Sequence, residues 1–457
     1  MAAMRQLAAW RVLTVLCGVA FTSNVIISLI APILPVHFEF LGMSQVWCGL
    51  MFSCFPLAML LSSPIVVKAM GRYGRVPVLF FGLVLQGITS ISFGLADEIT
   101  GGVGANREAA LAVYTLSRLA CGTGGACANN AIFSIAADRF PDTLAKVMGL
   151  NEVVIGAGFS LGPPIGMAIF LRYSFNTVFV SSGLAILVFA PFALLLWQPH
   201  PRGGGGAEGD GFDEGGPLTE VLTPGLLVAG VSLLLGTGIF GVVEPILSLY
   251  LSDEVGVSGA GVGSIFALFA GAYSVAGPLA GVLADRLGAL RICTAGGLLS
   301  GLILLLLLGP TARLLPKGTT GRIGYEVAVL MVLGVTQAAT LIPSLPAMKE
   351  TVSLESPSAT ERVVAWFNIF MQLGLVIAPL VGCAMRDSFG FETTVASTGA
   401  VAVAYGAAAL AFACRGRGGA HACLPTPSHI ITGVVVSPMS TCQRRRLSSD
   451  SSDKVTF

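Results

Sequence analysis

The chain is poor in charge. Asp, Glu, Lys and Arg make up 11% of its 457 residues, against roughly 25% in ordinary soluble domains, too few to build a surface that faces water. Apolar residues take 54% and the mean hydropathy is +0.84, a composition suited to the bilayer. A net charge of +1 leaves no basic stripe for nucleic acid. The four histidines, at 37, 200, 421 and 429, fall outside the apolar runs or at their edges, and the ten cysteines contain no C-x-x-C pair. Neither set has metal-ligand spacing, so we expect no metal, no cofactor and no enzymatic centre, and read the cysteines as small packing residues. No G-x-x-x-x-G-K-[ST] phosphate loop is present, which leaves ion gradients as the available driving force.

What the chain has is length in apolar runs. Stretches of about 20 residues, enough to cross ~30 Å of hydrocarbon, fall near 11–36, 47–69, 76–96, 109–137, 147–171, 176–197, 225–251, 261–284, 291–309, 326–346, 363–385 and 391–413. The first is too long for a leader's apolar core and is expected to be a span. With the N-terminus in the cytoplasm, most Lys and Arg fall on the inner side, so both termini are expected there. The predicted organisation is a six-helix half over 1–197, a Gly-rich acidic cytoplasmic linker over 198–224, a second six-helix half over 225–414, and an unpatterned cytoplasmic tail over 415–457. This is an all-α membrane protein of twelve transmembrane helices.

The halves read as copies. Pro32-Ile-Leu-Pro matches Pro245-Ile-Leu-Ser, Arg72-Tyr-Gly-Arg matches Arg286-Leu-Gly-Ala, and Gly162-Pro163 with Gly166 matches Ala378-Pro379 with Gly382, at offsets of 213 to 216. One nearly constant offset argues for a duplicated unit. In transporters built from parallel repeats the site lies between the halves near the midplane.

Charges inside the runs are the candidate machinery. A charged side chain at the bilayer centre costs about 2.5 to 3.5 kcal/mol on the most lenient scale, so its retention suggests use. Glu244 sits in the seventh span, Glu152 near the cytoplasmic end of the fifth, and Arg118 in the fourth; these three are the expected substrate and proton-coupling residues. A carboxylate taken out of water can hold a proton or an ammonium but not both, the simplest basis for exchanging one for the other. Arg118 and Glu244 lie at similar depth, ~13 and ~10 Å from the outer ends of their spans at 1.5 Å per residue. Glu244 read structurally would be a neutral acid making one interhelical hydrogen bond, and Glu152 an interfacial residue reaching water. Arg118 as a substrate ligand would point to an anion; otherwise it is a structural or gating partner. Asn24, Phe240, Tyr273, Trp366, Asn368 and Gln372 are candidates to complete a cavity, the aromatics through cation–π attraction.

Several motifs carry a resemblance. Gly281-Val-Leu-Ala-Asp285-Arg286-Leu-Gly288 resembles the G-x-x-x-D-R-x-G signature of the major facilitator superfamily, with a weaker first-half copy at Gly71-Arg72-Tyr-Gly74-Arg75. It reads as a latch: a glycine turn, a carboxylate that accepts from a neighbouring helix N-terminus, and arginines at the inner face. Arg118-Leu-Ala-Cys-Gly122-Thr-Gly124 resembles R-x-x-Q-G-x-G with Cys121 for glutamine, and Gly158-Phe-Ser-Leu-Gly162-Pro163-Pro164-Ile-Gly166 resembles the G-x-x-x-G-P-x-x-G motif of drug:proton antiporters. Closer still, Ala31-Pro32-Ile-Leu-Pro35, Glu152, Phe240-Gly-Val-Val-Glu244-Pro245-Ile-Leu-Ser248 and Leu341-Ile-Pro343-Ser-Leu-Pro346 are similar to the vesicular amine transporter family, especially its polyamine branch. The resemblance implies the major facilitator fold and a proton antiporter, acting as a monomer, that moves an organic cation across an intracellular vesicle or vacuole membrane rather than the plasma membrane. Where the monoamine branch has further acids, this chain has Ser23, Ala338 and Asn368. A multidrug or metabolite antiporter of the same superfamily, and a receptor or scaffold that has lost transport, are the alternatives.

Overall fold

The computed structural model describes residues 2–140, 143–196, 218–308, 319–352 and 357–415; most of the expected linker and nearly all of the expected tail lie outside them. The first half comprises α1 (Ala2–Phe40), α2 (Gln45–Tyr73), α3 (Arg75–Gly94), the single turn α4 (Ala96–Ile99), α5 (Arg107–Arg139), α6 (Leu144–Arg172) and α7 (Phe175–Ala193). The second comprises α8 (Pro224–Leu249), extended by a π turn over Tyr250–Val255, then α9 (Gly259–Leu287) and α10 (Ala289–Ile303). It continues with α11 (Thr320–Leu341), α12 (Ser344–Glu350) and α13 (Pro357–Arg415).

Twelve spans follow from these helices. Ten continuous stretches are apolar and long enough to cross by length and hydropathy. The longest of them contains two spans, because α13 breaks at Gly390 (φ 79°, ψ 171°). The remaining span is α5, whose Arg118, small residues and terminal charges dilute its hydropathy. Helices begin where a side-chain oxygen takes an otherwise orphaned backbone N–H: Thr223 accepts from Leu226, with Pro224 in the first turn, and Thr319 accepts from Arg322. That second cap starts α11 at Thr320, earlier than the apolar pattern predicts. Arg322 and Glu326 therefore belong to a helix and are buried, at 9% and 0% exposure, so α11 brings into the bundle, besides Glu152 and Glu244, a carboxylate that was not among the expected site residues.

Duplication extends to the backbone. Gly74 ends α2 at φ 89° and Gly288 ends α9 at φ 98°, a conformation that only glycine adopts readily. Within the first half α6 packs on α1, and within the second α13 packs on α8. At both seams small residues bring backbones together: a Cβ on Gly162 would stand 2.8 Å from the Val25 carbonyl oxygen, and one on Gly374 2.5 Å from that of Leu234.

The halves meet through α1 with α8, α2 with α13, and α6 with α9. Ser44 donates to Asp387 (2.5 Å) where α1 turns into α2, Ser160 of α6 donates to the Ala267 carbonyl of α9 (3.0 Å), and Gln372 of α13 donates to the Met59 sulphur of α2 (3.8 Å). These contacts run from the α1–α2 turn to mid-bundle. At the opposite end, where α7 stops and α8 starts, α5 and α11 share no packed interface. The bundle is closed at the first end.

Candidate functional site

Glu244 is half-buried although Val243 and Pro245 beside it are buried. The reason is the face it occupies. Gly241 and Val242 turn toward α13, where Pro379 and Gly382 allow close approach, and this leaves Phe240 and Glu244, four residues apart, together on another face of α8. Phe240 stacks obliquely on Phe269 (centroids 5.1 Å) and edge-on against Tyr273 (5.7 Å) of α9. Phe240, Glu244 and Tyr273 thus form one wall.

Arg118 is buried at 6% exposure. Its Nε donates to the Met51 carbonyl of α2 (3.2 Å) and its guanidinium lies 5.1 Å from the Phe55 ring centroid. Gly122 and Gly125 make this possible, since side chains there would collide with Phe55. Arg118 and Glu244 interact electrostatically across the two halves without forming a direct salt bridge. Glu152, on the face of α6 that meets α9, is exposed and acts electrostatically on Tyr273.

The other cavity candidates separate. Asn24 is half-buried and donates to the Ala20 carbonyl of its own helix (2.7 Å). Asn368 is exposed and does the same with Val364 (3.1 Å). Trp366 is half-buried and tilts over Phe370 at 5.7 Å, and Gln372 is buried at the α2–α13 seam.

The glycine motif of α6 faces its own half: Gly158, Gly162 and Gly166 lie against Asn24, Ser28 and Leu29 of α1. Its other face, at Gly156, Ser160, Pro163, Pro164 and Met167, meets α9. Of the latch residues, Arg75 pairs with Asp138 of α5, Arg72 lies over the Tyr73 ring, and Asp285 and Arg286 are exposed. The hydrogen bond expected at Asp285 is instead made by Glu350, which accepts from the Ala289 N–H (3.4 Å).

Two polar clusters at the closed end escaped the sequence reading. His37 stacks on Phe175 (3.7 Å) and, with the Tyr114 hydroxyl, bonds Asp97. Tyr250 stacks on Phe391 (3.8 Å) and donates to Glu326 (2.5 Å). His37 and Tyr250, and Phe175 and Phe391, are related by the repeat offset, while Tyr114 and Glu326 lie 212 residues apart, one short of it. That offset was the available signal.

Two six-helix bundles that meet around a membrane carboxylate define a membrane transporter of the alternating-access class. The chain belongs to the Major Facilitator Superfamily, which it matches twice, over residues 16–244 and 226–429. It is similar to the MFS-type transporter SLC18B1 of Mus musculus, 28% identical over 379 residues that cover 81% of this chain and 79% of that protein. It also resembles the synaptic vesicular amine transporter of Rattus norvegicus, 22% identical over 367 residues, 79% of this chain and 65% of that one. Among solved structures, a bacterial homologue of the human lysosomal transporter Spinster, inward-facing and occupied, superposes with a TM-score of 0.71 at 15% identity, covering 88% of this chain and 96% of that one.

Proposed function

We propose that this transporter exchanges protons for an organic cation, an amine or polyamine, with Glu244 binding one or the other in alternation. The observation that carries the reading is the placement of Glu244: a half-buried carboxylate mid-span, on the face of α8 shared with Phe240, whose ring packs against Tyr273. Arg118 is engaged by Met51 and Phe55 on its own half, which suits a counter-charge to Glu244 better than a ligand for an anion. The similarity to a synaptic vesicular amine transporter supports an intracellular vesicle membrane; with it the reading takes both termini as cytoplasmic and the working unit as a monomer. With one accessible acid in the wall, the site suits a singly charged amine, and a longer polyamine would draw on Glu152 as well.

The test is uptake into proteoliposomes under an imposed proton gradient, with labelled spermidine, serotonin and a generic organic cation. Gradient-dependent uptake of at least one is expected; uptake of none would overturn the cation reading.

A further inference from the structure

We propose that Glu326 is a second proton-binding residue of the transporter, one that holds the closed end shut while it carries its proton. The claim goes beyond the exchange site and holds whatever substrate Glu244 serves.

Glu326 is 0% exposed. Its Oε1 accepts from the Tyr250 hydroxyl at 2.5 Å, while its Oε2 is buried without a hydrogen-bond partner. An ionised carboxylate with one bare oxygen in so dry a place is strongly disfavoured, whereas a neutral acid with its proton on Oε2 loses little. The first-half cluster makes the contrast: there the buried Asp97 is met by both His37 and the Tyr114 hydroxyl. Arg322, one turn earlier on α11, is buried with its own Nε unpartnered and makes no salt bridge to Glu326. Arg322 acts electrostatically on both Glu326 and Tyr250, so a cation stands one helical turn from the acid.

The remaining surroundings add little. The π turn that extends α8 contributes Tyr250 and Glu254; α13 contributes the Phe391 ring stacked on Tyr250, and its Arg386 and Glu392 act on Glu254 rather than on Glu326. Among the described residues no ionisable group of α9 or α10 acts on Glu326.

The step is a proton transfer. In the closed arrangement Oε2 keeps its proton and Tyr250 fixes the end of α8. Loss of that proton to water on the closed side leaves a carboxylate that turns to Arg322, releases Tyr250, and frees the end of α8 that packs beside α1. Acid on that side favours closure, and less acid favours opening.

Two native cysteines report on opening. Cys48 of α2 and Cys383 of α13 face each other across the halves near the closed end, both fully buried. The purified full chain in detergent is treated with a thiol-alkylating reagent between pH 5 and 8, and the rate at Cys48 is read by mass spectrometry. Dividing the wild-type rate by that of Glu326→Gln at each pH removes the thiol's own pH dependence. The ratio is expected near one at pH 5 and to rise about tenfold by pH 8, with Glu326→Asp restoring the rise. Tyr250→Phe, which keeps the acid but loses the bond, is expected to speed alkylation several-fold at pH 5. A ratio flat with pH, or a Tyr250→Phe rate equal to wild type at pH 5, would overturn the proposal.

Discussion

Gly74 and Gly288, 214 residues apart, hold nearly the same backbone conformation, φ 89° and ψ 160° against φ 98° and ψ 128°. Each ends one helix and starts the next, and each is followed by a backbone or side-chain link to a carboxylate: Arg75 to Asp138, Ala289 to Glu350. The duplication has preserved a backbone shape even where the side chains diverged.

Because that region of φ and ψ is essentially closed to other residues, at a cost of order 1–3 kcal/mol, Gly74→Ala and Gly288→Ala are each expected to lower the melting temperature by several degrees. Gly149→Ala is the control, since a side chain there meets nothing and a helix-interior glycine gains from the change by about 0.5–1 kcal/mol. Equal melting of all three would contradict the structural role of the turns.

Gly162 tests the α1–α6 seam. Any side chain there runs into Ser28 and the Val25 backbone, and overpacking of this kind costs typically 1–3 kcal/mol. We expect Gly162→Ala to reduce folded yield and Gly162→Leu to abolish it. Ser28→Ala, combined with Gly162→Ala, should recover part of the loss by removing the nearest atom; no recovery would show that the seam is not limited by that contact.

Arg118→Lys separates charge from shape. It keeps a cation opposite Glu244 but loses the planar contact with Phe55, worth about 0.5–2 kcal/mol, so transport should fall no more than about thirtyfold. Arg118→Gln removes the counter-charge and should cost far more. Equal losses in the two variants would mean that the guanidinium's shape, not its charge, is what the site uses.

The fold was largely legible because hydrophobic length and a constant repeat offset are one-dimensional signals. Arg118, Glu152 and Glu244 were legible for the same reason: charge within an apolar run stands out without knowledge of the fold. Which face of a span looks into the cavity was not. These helices are apolar all round, so periodicity carries no direction, and Gln372 and Asn368 read as cavity residues although one is buried at a seam and the other is exposed and bonds its own backbone. Glu326 was missed differently: it stood as the first residue of the expected span 326–346, and the Thr319 cap, in a polar stretch that reads as loop, starts the helix early enough to bury it.

The most direct test of the central claim is to separate the two halves of the exchange in Glu244→Gln. In proteoliposomes, counterflow of a transported amine between substrate-loaded vesicles and medium needs no net proton movement, while uphill uptake needs it. The account predicts that Glu244→Gln, unable to lose charge or to attract a cation, abolishes gradient-driven uptake and weakens amine binding together, with the protein still folded. Gradient-driven uptake at the wild-type rate in Glu244→Gln would contradict it.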